Sequence, residues 1–230
     1  MCNEPNITAK CNAVASGFNN VFGSTGCTAA LADCAANPTA SPPISSSDPK
    51  CFPAIAKVQL QDGSVKTMAE LKVGDIVHVG RNQYSKVFMF SHRMSAEESS
   101  SAFVTITTSN AMKIQLTGNH YLYVNGALAA AHTVRVGDKL VTSDGSEDIV
   151  KGVENVWGEG LYNPHTMHGD IVVDGIITSC YTTAIHPTLA HAALWPVRAL
   201  FAAGVDIINH AFDKGSDLIS SILPNGPARM

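Results

Sequence analysis

The chain has 230 residues, 45% of them hydrophobic, which is enough to bury a sizeable core. Its formal net charge of -4 provides no basic field for nucleic acid, so that class of partner is set aside. The longest apolar region, Leu189 to Phe212, is interrupted by Pro196, Arg198 and Asp206, which predicts amphipathic helices rather than a membrane span.

Residues 1–36 carry Cys2, Cys11, Cys27 and Cys34 in a Gly/Asn/Ala-rich setting. Two readings stand: a disulfide-stapled extracellular fragment with three open pairings, or a truncated tail whose thiols carry no meaning. No C-x-x-C pair or nearby His completes a zinc set, and no metal or cofactor is expected. Met1 to Asn20 lacks a basic flank followed by an apolar run, so no signal peptide is visible; the chain is then intracellular or an internal piece of a longer precursor. From Asn37 to Lys50 the segment N-P-T-A-S-P-P-I-S-S-S-D-P-K predicts an extended linker, and it ends at a lone cysteine, Cys51.

Beyond Cys51 the pattern is one of short strands. Ala56–Leu60, Asp75–Val79, Tyr84–Phe90, Phe103–Thr108, Lys113–Leu116, Tyr121–Val124, Val134–Val141, Ile149–Val156 and Ile171–Ile177 are the expected members, with turns at Gln61-Asp62-Gly63-Ser64 and Asn125-Gly126. Asn163-Pro164 is expected to form another turn. After His186 the period becomes helical. Leu189 to Leu223 is expected to form two short helices broken near Pro196 and Gly204, which cradle a lipid, lie on a membrane or pack on the β-domain. The domains expected are thus 1–36, the linker 37–50, an all-β unit 51–185 and a helical extension 186–230.

A repeat runs through the β region. Leu71-Lys72-Val73-Gly74-Asp75 is echoed 63 residues later by Val134-Arg135-Val136-Gly137-Asp138, and the turn glycines Gly63 and Gly126 share the offset. Two copies are too few for a solenoid; they predict a duplicated β-unit related by a pseudo-twofold axis.

Two local patterns carry chemistry. Cys51 opens the β-domain directly after the linker, where its thiolate can reach the upstream carbonyl of Lys50 and convert an amide into a thioester by an N–S acyl shift. The ordinary alternative is a free structural cysteine. Thr117-Gly118-Asn119-His120 follows a strand and can hold a hydroxyl and an imidazole at one end of it. The imidazole suits protonation of a leaving amide nitrogen, and Thr117 suits a hydrogen bond to the scissile amide; the plain alternative is a polar strand-end turn.

Together these segments resemble the Hint domain of hedgehog proteins. The likeness is carried by C-F-P-A-I-A-K-V-Q-L-Q-D-G-S-V-K-T-M-A-E-L-K-V-G-D-I-V (51–77), Leu116 to Tyr123, G-L-Y-N-P-H-T-M-H-G-D-I-V-V-D-G-I-I-T-S-C-Y (160–181), Leu189-Ala190-His191 and Pro196-Val197-Arg198. It covers about Cys51 to Leu200. The resemblance implies an all-β pseudo-twofold disc with a short helical extension, autocatalytic cleavage at Lys50-Cys51, Cys51 as nucleophile, and Thr117 and His120 as activators of the scissile amide. It further implies Cys180, in S-C-Y, as a neighbour of Cys51 with an exchange or a packing role. A sterol, another lipid alcohol or water is the implied acceptor. A monomeric processing domain, membrane-surface contact by residues 189–223 and a secretory or extracellular location complete the expectations.

Two departures matter. Lys50 stands where hedgehog precursors carry Gly, and Phe90-Ser91-His92-Arg93 stands where the family has an F-x-D-R-like segment with a sterol-activating Asp. His92 is then either the base that activates an incoming hydroxyl or a surface histidine. His165 and His168 are weaker candidates, for a metal. Within the same fold the rival reading is an intein-like cleavage element; splicing is unsupported because Ile208-Asn209-His210 has the Asn-His pair reversed. An inert secreted β scaffold is the rival from another class.

Overall fold

The computed structural model describes residues 41–44, 50–182 and 195–203. The chain divides into a unit Met1–Pro42 and a unit Pro43–Met230, and the second is the one with described secondary structure. Its alternating apolar and polar segments form β1 (Lys57–Gln59), β2 (Val65–Thr67), β3 (Ile76–Gly80), β4 (Gln83–Met94), β5 (Ser100–Thr108), β6 (Lys113–Leu116) and β7 (His120–Val124). The chain continues through β8 (Ala127–Ala130), β9 (Lys139–Val141), β10 (Glu147–Glu159), β11 (Leu161–Thr166), β12 (Asp170–Val173) and β13 (Ile176–Thr182), followed by helix α1 (Trp195–Ala202). The main sheet runs β12-β13-β7-β9-β10-β5-β6 with β8 on β7; β11-β4-β3 form a second sheet, and β1-β2 a small hairpin. The fold is all-β.

The sequence repeat becomes a structural one. Gly74 and Gly137 hold φ of 95° and 96°, a left-handed turn that a side chain would strain. In each copy the following aspartate caps its own turn, Asp75 accepting from the Lys72 N–H and Asp138 from the Arg135 N–H, both at 2.8 Å. The turns dock alike: Gly74 N–H on Val87 O at 2.8 Å, Gly137 N–H on Val150 O at 2.9 Å. The two copies then exchange strands. β4 of the first copy pairs with β11, and β10 of the second pairs with β5. Between them lies a core that includes the fully buried Phe52, Met68, Leu71, Ile106, Leu122 and Ile171. Each such side chain contributes about 1.5–3 kcal/mol by leaving water.

Several expected boundaries are corrected. Val134–Val141 is not one strand: the Gly137 turn occupies its first half, leaving Lys139–Val141. Ile171–Ile177 is two strands, because Asp174 and Gly175 adopt φ of 50° and 87° and reverse the chain. Asn163-Pro164 is no turn; both residues lie inside β11, where a break in register between them excuses the missing proline N–H. Pro196 falls within the first turn of α1, where its lost donor would be unsatisfied anyway. The four N-terminal cysteines and residues 204–223 lie outside the described residues.

Candidate active site

Cys51 is fixed from both sides just before the first bridge of the fold. Phe52 and Tyr162 exchange backbone hydrogen bonds at 2.8 and 3.0 Å. One residue earlier, the Cys51 N–H donates to Thr117 Oγ1 at 2.7 Å, and the Thr117 N–H returns a bond to Cys51 O at 2.9 Å. The N–H so held belongs to the Lys50–Cys51 peptide. The thiol is fully buried beside Phe103 and Leu161, and burial pushes its pKa up, with the Lys50 backbone offsetting part of the rise.

His120 starts β7, three residues beyond Thr117, and its own N–H bonds Thr117 O at 3.0 Å. Its ring is fully buried, 4.3 Å from the Phe52 ring centroid. Nε2 donates to Ser179 O at 2.8 Å, which leaves Nδ1 as the proton-free nitrogen of a neutral ring. Nδ1 has no hydrogen-bond partner among the described residues. Burial lowers the imidazole pKa to about 4, against the upward pull of the Ser179 and Lys50 backbones. Thiol and imidazole therefore both rest neutral, and a proton leaving Cys51 has an unoccupied acceptor on the ring beside the Lys50 backbone.

A second polar group adjoins the first. Continuing the Phe52–Tyr162 bridge by one residue brings Cys51 opposite Asn163, and Asn163 pairs with His92 across β4 and β11. Asn163 Nδ2 donates to Ser91 Oγ at 2.8 Å, and His165 Nε2 lies 3.0 Å from the same hydroxyl. Ser91, Asn163 and His165 are each 4% exposed. Burial, then the nearby His120 and His92, press the His165 pKa down to about 3. His92 itself is half-buried; desolvation and the positive charge of Lys50 lower its pKa, and its Nδ1 has no hydrogen-bond partner among the described residues. The structure thus sets His120 at the Lys50–Cys51 bond, His92 on the strand that pairs with Asn163, and His165 on the Ser91 hydroxyl next to both.

The sequence singled out Cys51, Thr117, His120 and His92, and these come together. It gave Ser91 and Asn163 no role and set His165 beside an expected turn. The signal that could have found them is the run L-Y-N-P-H-T, whose six residues are all buried in β11. His168 points elsewhere, its Nδ1 3.5 Å from Asp170. No group of three or more His, Cys, Asp or Glu able to hold a metal occurs among the described residues. Cys180 is a free, buried thiol on β13, 3.7 Å from Thr166 Oγ1, and burial raises its pKa to about 12. It belongs to the main core, whereas Cys51 packs in the separate Phe103–Leu161 cluster. Helix α1 reaches the same region: Phe201 lies 6.3 Å from Phe88, whose ring is 6.2 Å from that of His165.

Comparison with known proteins adds three findings. The family model of the Hint module matches residues 39–211. Sonic hedgehog protein of Danio rerio is 35% identical over 169 residues, covering 66% of this chain and 40% of the relative. Warthog protein 1 of Caenorhabditis elegans is 29% identical over 164 residues, covering 66% of this chain and 33% of the relative. The chain thus spans well under half the length of these relatives. Among solved structures the gp41-1 intein superposes with a TM-score of 0.50 at 16% identity, covering 57% of this chain and 99% of the intein, a likeness of fold.

Proposed function

The chain belongs to the Hint module family, and from that premise we propose that it cleaves its own Lys50–Cys51 peptide bond through a thioester. The observation that carries this reading is the clamp on that peptide: its N–H is held by Thr117 Oγ1 at 2.7 Å, with the open Nδ1 of His120 on the ring beside the Lys50 backbone. In the first step Cys51 gives its proton to His120 Nδ1 as Sγ attacks the Lys50 carbonyl carbon. His120 then passes that proton to the departing amide nitrogen, because an amine leaves far more readily than an amide anion. Thr117 keeps the nitrogen in place throughout. The carbon–nitrogen bond breaks, a carbon–sulfur bond has formed, and no proton is gained or lost overall.

In the second step an incoming hydroxyl attacks the thioester and His92 takes its proton, the role its open Nδ1 beside Lys50 supports. The acceptor class is a sterol, another alcohol or water. Released in this way, the part N-terminal to Cys51 is the exported part of a secreted precursor, and the module acts on itself a single time. Cys180 serves packing in this scheme. The C-terminal region 189–223 is assigned to the acceptor or a membrane surface, as its apolar composition favours.

Incubating the purified chain with dithiothreitol tests the first step, since a strong thiol resolves any thioester. The expected result is a fragment ending at Lys50 from the wild type and an intact chain from Cys51→Ala. Cleavage of Cys51→Ala at the same bond sinks the mechanism, and an uncleaved wild type favours the inert scaffold.

A further inference from the structure

We propose that Lys50 is itself an acceptor: its Nζ closes on its own thioester carbonyl, so that the N-terminal fragment leaves with a C-terminal caprolactam. This inference rests on the thioester reading above and names the nucleophile that resolves it.

The argument begins with connectivity. Once the Lys50 carbonyl is esterified to Cys51 Sγ, the nearest amine to that carbon by covalent path is the one on Lys50's own side chain. A tethered nucleophile competes with a diffusing one through its effective molarity, which reaches roughly 10⁵–10⁸ M for well-oriented pairs. A four-methylene tether falls below that ceiling because it must freeze several rotors, yet it needs no docking step. An amine is also a stronger nucleophile toward a thioester than a hydroxyl, and the amide formed is more stable than the thioester lost.

The setting of Lys50 favours the reactive form. The side chain is partly buried, and none of the ion pairs among the described residues involves it. Burial lowers its pKa, and no carboxylate among the described residues pulls it back up. A lysine held by a carboxylate would stay protonated and could not attack. Burial, and after it the positive charge of Lys50, lowers the pKa of the His92 imidazole. His92 offers an unpartnered Nδ1 on the strand that pairs with Asn163, itself opposite Cys51. The strand register thus sets His92 across from Asn163, which lies opposite Cys51, and puts a base on the side of the fold where the carbonyl reacts.

The step balances without a co-reactant. Nζ attacks the Lys50 carbonyl carbon and forms the ring carbon–nitrogen bond. The carbon–sulfur bond breaks, and its electron pair leaves on Cys51 Sγ. The surplus proton passes from Nζ to His92 Nδ1 and on to the thiolate. The products are a lactam-ended fragment 1–50 and the free thiol of Cys51, with no water consumed.

The test is mass spectrometry of the N-terminal fragment released from the full chain without added thiol, alongside a dithiothreitol reaction on the same sample. A fragment lighter by one water than residues 1–50 with a free carboxyl, with tandem spectra assigning the loss to Lys50, is the expected result. In Lys50→Met, which keeps the length but lacks the amine, thiol-free release should slow by about tenfold or more and give the free acid or an alcohol adduct, with no lactam. A free-acid or alcohol-adduct fragment from the wild type overturns the lactam while leaving the thioester intact. So does thiol-free release at the wild-type rate from Lys50→Met. A chain that dithiothreitol fails to cleave overturns the thioester reading, and the lactam falls with it.

Discussion

The strand pairs β4–β11 and β5–β10 are built on one plan and serve different ends. Each joins a long strand of one repeat to a strand contributed by the other. The β5–β10 pair keeps its register over most of its length, with one irregularity between Val150 and Gly152, and β10 is largely solvent-facing, with Trp157 46% exposed. The β4–β11 pair breaks register twice, between Asn163 and Pro164 and between His165 and Thr166, and β11 is buried along its whole length. Where the first pair carries Glu154, exposed and 3.5 Å from Lys113, the second buries the linked Ser91, Asn163 and His165, with His92 half-buried next to them on β4. The same scaffold becomes a site when one copy is bulged and dehydrated. A bulge re-aims side chains, and burial strips the water that would otherwise hold them charged.

The contrast can be broken most sharply at the edge of the buried pair. His120→Ala should slow dithiothreitol-induced cleavage by about 10²–10⁴-fold, the usual yield of a positioned acid–base group. Cleavage at the wild-type rate would take His120 out of the first step. His92→Ala should act on one step only, leaving thiol cleavage near the wild-type rate while thiol-free release drops by about 10²-fold. If both rates fall together, β4 serves the fold and not the second step.

A third measurement reads the burial itself. His120 and His165, held near 4 and 3, stay neutral in the folded chain at pH values where an unfolded histidine takes up a proton. Stability should therefore be complete above about pH 6.5 and decline as the pH falls toward 4, by about 3 kcal/mol for His120 alone at pH 4. Asp174, raised to about 6 by burial, acts in the opposite sense over the same window. The check is consequently a difference: urea midpoints of His120→Gln should depend less on pH than those of the wild type. Equal dependence would mean that His120 is hydrated in solution.

The smallest effect compares the two pairs directly. Asn163→Ala removes the donor to Ser91 Oγ from a buried group and should cost about 1–3 kcal/mol. Glu154→Ala, on the exposed counterpart, should cost less than about 1 kcal/mol and leave cleavage untouched. Similar losses at both positions would erase the distinction.

Those two pairs also mark what the sequence could and could not reveal. The V-G-D turns were legible because a left-handed glycine and its capping aspartate form a local unit, complete within a few residues. Cys51, Thr117 and His120 were legible for a similar reason: a linker ending on cysteine and a T-x-x-H segment each fit in a short window. The Ser91–Asn163–His165 group was not, since it depends on residues 72 and 74 positions apart meeting through strand exchange. Asn163-Pro164 misled for the same cause. The dipeptide favours a turn locally, and pairing with β4 overrides that preference by bulging the ladder around the proline.

The exchange of strands also governs timing during synthesis. Cys51 waits 66 residues for Thr117, and His120 a further 59 for the Ser179 carbonyl that fixes its tautomer. Tyr162, the backbone partner of Phe52, is made late as well. A chain leaving the ribosome thus carries its cysteine and its cleavable bond long before either is clamped, and the loops to be closed are long enough to make that closure slow. A nascent chain arrested before β13 has the bond but not the completed clamp around it. Strand order therefore works as an interlock, in which the last strand of the disc, once made, arms the first residue.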